Sequence, residues 1–119
     1  MMSALIKSFG YAWKGIAVAI REQRNLRIHL SITLLVIVAG FYFHITTVEW
    51  CILLLCIGLV TGLEMINSSI ENLVDLVTRE HKPLAGKVKD IAAGAVLMVS
   101  VISVIIGLII FLPYISTLG

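Results

Sequence analysis

Three stretches of this chain contain no Asp, Glu, Lys or Arg: Ile28–Val48, Trp50–Leu63 and Ile91–Gly119. No other feature constrains the fold as much, because about 20 apolar residues in a helix cross the hydrocarbon core of a bilayer. The first and third runs reach that length unaided. The middle run, at 14 residues, does so only if its helix continues past Glu64. That continuation sets carboxyl groups close to one membrane face. With 60% hydrophobic and 13% charged residues and a mean hydropathy of +1.07, the chain predicts an all-α integral membrane protein. A single domain covers residues 1–119, with spans at about 28–45, 48–77 and 87–113.

The basic residues give an orientation. Lys7, Lys14, Arg21, Arg24 and Arg27 precede the first span, and Arg79, Lys82, Lys87 and Lys89 lie between the second and third. Lys and Arg accumulate on the cytoplasmic side of membrane proteins. The N-terminus and the second connection are therefore expected inside, and the link His44–Glu49 and the C-terminal PYISTLG outside. Over residues 3–27, Leu5, Phe9, Trp13, Ile16 and Ile20 share one helical face, with Lys7, Lys14 and Arg21 opposite. That pattern predicts an amphipathic helix lying in the cytoplasmic interface. The charges spread along this segment argue against a cleavable signal peptide. The net charge of +2 matches a membrane anchor, and nothing in it suggests nucleic acid. Cys51 and Cys56 sit in the second apolar run without ligand spacing and are expected to pack as small hydrophobes.

One segment, GLEMINSSIENLVD (Gly62–Asp75), is polar where its surroundings are not. Glu64, Asn67, Glu71 and Asp75 are spaced to form one stripe over three helical turns, about 16 Å long. Carboxylates at this spacing repel one another, and no Lys or Arg between Ile28 and Thr78 relieves them. Compensation must come from a cation on another helix or from a bound divalent ion. Oxygen ligands of this kind suit magnesium better than zinc or copper. For Asp75 a solvated helix face explains the charge equally well. Glu64 follows the apolar run directly, where an ionisable group marks a functional site.

Lys89-Asp90 forms a second polar pair at similar depth, equally explained as an interfacial charge pair. Carboxylates, cations and an apolar floor together suit chemistry on a lipid headgroup with a phosphate-bearing cosubstrate. A small oligomeric transporter or channel using Glu64, Glu71 and Asp75 is the alternative, although its acids would be spread through the bilayer depth. No Walker loop is present. Gly58-x-x-x-Gly62 adds a spacing that lets membrane helices approach closely.

The stretches GYAWKG, EMINSSIENLVDL and KDIAAGAVL, in this order, resemble the small bacterial diacylglycerol kinase family from about Phe9 to Pro113. NSSIEN and LIIFLP look more like its undecaprenol kinase branch. The resemblance implies a surface helix plus three transmembrane helices, a homotrimer with active sites shared between subunits, and transfer of the γ-phosphoryl of magnesium-ATP to a lipid alcohol. By matching position it implies Glu64 as general base, Asn67 orienting the lipid hydroxyl and Glu71 binding magnesium. Asp75 and Glu80-His81-Lys82 would face the nucleotide, with Lys89 on its phosphates and Asp90 beside it. Tyr11 would line the nucleotide pocket, and Lys14 the lipid-phosphate region. The family's second metal-binding Glu falls on Gln23 here, with Glu22 one residue earlier; Glu22 is the expected ligand.

Overall fold

The computed structural model describes residues 2–118; Gly119 of the PYISTLG stretch lies outside the described residues. Four helices follow one another: α1 (Met2–Glu22), α2 (Arg24–Phe43), α3 (Thr47–Val77) and α4 (Pro83–Ser116). The last three are each long and apolar enough to cross a membrane. At 1.5 Å per residue they measure about 30, 46 and 51 Å, so α3 and α4 outrun a hydrocarbon core of about 30 Å.

The α2–α3 turn is built by complementary caps. His44 takes a left-handed conformation (φ 54°). Its N–H and that of Ile45 then reach the Phe41 and Gly40 carbonyls at 3.4 and 3.2 Å, closing the helix end. Thr46 opens α3 with a capping box: its hydroxyl accepts from the Glu49 N–H at 3.2 Å, and Glu49 Oε1 accepts from the Thr46 N–H at 2.9 Å. Glu49 Oε1 also accepts a hydrogen bond from the Tyr114 hydroxyl on α4. The main apolar core lies at this turn end, where Ile45, Leu53 and Ile110 are buried among Phe43, Trp50 and Phe111. Gly40 lets Trp50 approach α2; a Cβ there would stand 2.6 Å from a ring carbon.

At the opposite, loop end, Lys89 on α4 bridges Asp75 on α3 at 2.7 Å. Nearly equal lengths of α3 and α4 separate this tie from Glu49–Tyr114, so the pair is antiparallel and pinned in register at both ends. All three other helices pack against α3. The radius of gyration is 17.7 Å, in a slab of 55 × 43 × 21 Å, whereas a compact chain of this length would have about 13–14 Å. A methyl group placed on Gly58 or Gly62 would meet nothing within 4 Å among the described residues, so their spacing serves no contact within this chain.

Several helix boundaries differ from expectation, α2 itself starting at Arg24 rather than about 28. The first helix ends at Glu22 rather than 27, because Gln23 is extended (φ −106°, ψ 107°). Arg27 fixes this corner by donating from Nη1 to the carbonyls of Ile20 and Arg21 at 3.0 and 2.8 Å, acceptors that a helix C-terminus leaves unpaired. Leu26, 2% exposed, is the most deeply buried side chain. No residue of α1 is buried. The fourth helix starts at Pro83 rather than 87, since proline fits the first helical position, where no N–H is needed. It also runs through Pro113 to Ser116, the proline removing one bond only from the final turns.

Candidate active site

The polar stripe on α3 is graded in burial. Glu64 is 4% exposed, Asn67 and Ser68 are buried with it, Glu71 is half-buried and Asp75 is exposed. The helix lengths explain the gradient. His29 on α2 faces Glu64, and counting back from that contact the first residue of α2, Arg24, falls level with about residue 69 of α3. Glu64 therefore lies beside α2, Glu71 at its end, and Asp75 beyond it. The α1–α2 corner at Glu22 and Gln23 comes level with Glu71.

Each acid on the stripe has a different polar neighbour. Glu64 Oε2 is 3.7 Å from His29 Nε2. Among the described residues His29 is the one basic side chain within 4 Å of this carboxylate. Asn67 donates from Nδ2 to Glu71 Oε1 at 3.4 Å, while its Oδ1 is buried without a partner. Buried acceptors are seldom left so. Ser68 is satisfied by its own helix, donating to the Glu64 carbonyl at 3.1 Å. Asp75 is held by Lys89, so the expected Lys89–Asp90 pair is replaced by an interhelical one: neighbours in a helix point about 100° apart, and α3 offers the nearer carboxylate.

Two cavities flank the stripe. A groove of about 360 Å³ runs between α2, α3 and α4, with Val36, Leu53, Ile57, Val60, Val104 and Phe111 among its walls. Its few polar walls include His29, Ser100 and Ser103, and the Ser100 hydroxyl is buried without a partner. The register of α3 against α4 sets Ser100 level with Glu64. A second cavity, about 270 Å³, lies at the start of α4 and is lined by Arg79, His81, Lys82, Gly86 and Lys89 among others. Cations and the free N–H groups of a helix N-terminus make such a place receptive to phosphate. Glu80 also lines it, 3.9 Å from Lys82.

The remaining predicted residues are not gathered within this chain. Tyr11 and Lys14 are exposed on α1, Lys14 Nζ lying 5.8 Å from the Tyr11 ring centroid. Asp90 is exposed on α4. Among the described residues, no group of three or more His, Cys, Asp and Glu is placed to hold a metal. Sequence reasoning misses two features of the site: His29, and Arg79 in the basic cavity. Arg79 enters the sequence reading only as a topology signal, although its place beside Glu80-His81-Lys82 is visible there.

The profile of the prokaryotic diacylglycerol kinase family matches residues 10–111. The chain is 45% identical to the undecaprenol kinase of Bacillus subtilis, over 94% of this chain and 91% of that protein. It is 32% identical to the diacylglycerol kinase of Escherichia coli, over 85% and 83%. With the diacylglycerol kinase of Helicobacter pylori strain J99 it shares 37% over 79% and 73%. The matched region takes in the acidic stripe, the groove and the basic cavity alike, and the chain belongs to the prokaryotic diacylglycerol kinase family.

Proposed function

We propose that this lipid kinase transfers the γ-phosphoryl group of ATP to the hydroxyl of a membrane lipid alcohol, undecaprenol or diacylglycerol, at the cytoplasmic face of the bacterial inner membrane. The observation that carries this is the position of Glu64. Its carboxyl is buried beside the His29 end of an apolar groove, on a stripe that leads to a basic cavity. A lipid alcohol can present its hydroxyl there without leaving the bilayer. Glu64 takes the hydroxyl proton as the lipid oxygen bonds to the γ-phosphorus, and the bond from that phosphorus to the β–γ bridging oxygen breaks to release ADP. Positioning and charge neutralisation supply most of the rate in such transfers. Asn67 orients the hydroxyl, its unpartnered Oδ1 marking a place for a polar ligand.

The basic cavity takes the phosphates through Lys89, with Lys82, His81 and Glu80 around the nucleotide and Asp90 beside it. Asp75 holds Lys89 until the nucleotide arrives. Magnesium fits the donor chemistry of Glu71, whose carboxylate accepts one long hydrogen bond and stays half-exposed, because this ion needs only one or two protein carboxylates beside phosphates. Glu71 would hold it, with Glu22 or Gln23 from the corner at the same level, and the bound ion would neutralise phosphate charge. The unburied α1 lies in the interface, presenting Tyr11 to the nucleotide and Lys14 to lipid phosphate. The open slab and the uncontacted Gly58–Gly62 face support a homotrimer with sites completed between subunits. Radiolabelled ATP offered with a panel of lipid alcohols in mixed micelles tests the function. Labelled lipid phosphate from undecaprenol or diacylglycerol is expected, and no labelled lipid from any alcohol would refute it.

A further inference from the structure

The stripe on α3 leaves one problem unsolved by the roles above. Glu64 needs a fixed orientation to take a proton, yet its own helix supplies no donor to its side chain. Ser68 donates to the Glu64 backbone carbonyl instead, and Asn67 turns toward Glu71. The nearest Lys tie, Lys89, is committed to Asp75, three turns away. What faces the Glu64 carboxylate is His29, from α2.

We propose that His29 is a positioning residue for the phosphoryl transfer: its Nε2–H holds Glu64 Oε2 and leaves Oε1 for the lipid hydroxyl. Nε2 stands 3.7 Å from Oε2, with the side chains 25% and 5% exposed. That separation is a polar contact beyond hydrogen-bond length, and catalytic contacts are often long until substrate is bound. The carboxylate is an acceptor, so it selects the tautomer protonated at Nε2. His29 is also a wall of the apolar groove, so it joins the two parts of the site, touching the base on one side and the channel for the lipid tail on the other. A Lys or Arg here would add a permanent charge beside the base. An imidazole supplies the Nε2–H donor without a charge that is permanent. Misplacing a reacting group by about 1 Å can cost about 10²-fold in rate.

This inference rests on Glu64 being the general base, and the test separates the two. Steady-state kinetics in mixed micelles, with ATP and lipid varied separately, would compare His29→Gln, His29→Asn and His29→Leu with the parent. The Gln amide nitrogen reaches the place of Nε2, the Asn nitrogen only that of Nδ1, and Leu keeps bulk alone. Expected are kcat losses of about 10–100-fold in the Leu and Asn variants, recovery to within about 5-fold in the Gln variant, and an unchanged apparent KM for ATP. Because both residues act through one carboxylate, His29→Leu added to Glu64→Gln should slow turnover no further. Near-parental kcat in His29→Leu overturns the proposal, as does an equal loss in all three variants. A raised lipid KM at constant kcat assigns His29 to the groove wall and also overturns it. If Glu64→Gln itself turns over normally, the base assignment fails. A slow Glu64→Gln with a fast His29→Leu removes only the role of His29.

Discussion

Replacing Gly40 with Ala tests the packing that sets α2 against α3. A Cβ at position 40 would lie 2.6 and 2.8 Å from two carbons of the Trp50 ring and 3.2 Å from Ile45 Cδ1. The ring cannot swing aside freely, since it packs against Phe41 with centroids 4.9 Å apart and borders the buried cluster of Ile45, Leu53 and Ile110. Forcing extra bulk into a packed site costs about 1–3 kcal/mol. Replacing glycine by alanine inside a helix returns up to about 1 kcal/mol. The net expectation is a loss of about 1–2 kcal/mol, or an apparent melting midpoint lower by on the order of 5 °C at a fixed scan rate in detergent. The control is Trp50→Leu. In that background the clash with the ring is gone, leaving the helix gain and the milder approach of the Ile45 methyl, so Gly40→Ala should be close to neutral or stabilising. Equal destabilisation in both backgrounds, measured by circular dichroism, would refute the close contact as the cause.

Glu71→Gln should abolish activity at ordinary magnesium, and chelation should do the same to the parent; turnover persisting in either case would remove Glu71 as the metal ligand. Lys89→Met should raise the apparent KM for ATP while leaving the lipid KM unchanged, and a selective effect on lipid would dissociate Lys89 from the phosphates. Mixing Glu64→Gln subunits with Lys89→Met subunits should restore part of the activity if sites are shared, since one chain supplies the base and its neighbour the cation. No recovery in verified hybrids would confine each site to one chain.

The three spans are legible in the sequence because charge-free runs leave a membrane helix few alternatives, and the continuation of α3 to Val77 follows from the absence of any breaker after Gly62. The cap at Thr46 is equally visible, as Thr-x-x-Glu before an apolar run, but only the fold brings Tyr114 against Glu49 and gives that carboxylate its second role. Residues that act across helices are not legible. Arg27 ends α1 through carbonyls six and seven residues back, a contact outside helical periodicity. Gly86 reads as part of the turn before the last span and Pro113 as the end of that span, yet both lie within α4, where apolar surroundings favour keeping backbone groups paired. His29 lies in an apolar run, and only the antiparallel packing of α2 on α3 brings it to Glu64.

In the proposed reaction the buried carboxyl of Glu64 accepts the proton of the lipid hydroxyl. Glu64→Gln keeps the shape and hydrogen-bonding capacity of the side chain but cannot act as that base. Steady-state turnover of the purified variant, with lipid and ATP varied separately, should fall by at least about 10²–10⁴-fold at unchanged apparent KM for ATP. Turnover close to the parent's would show that Glu64 is not the base.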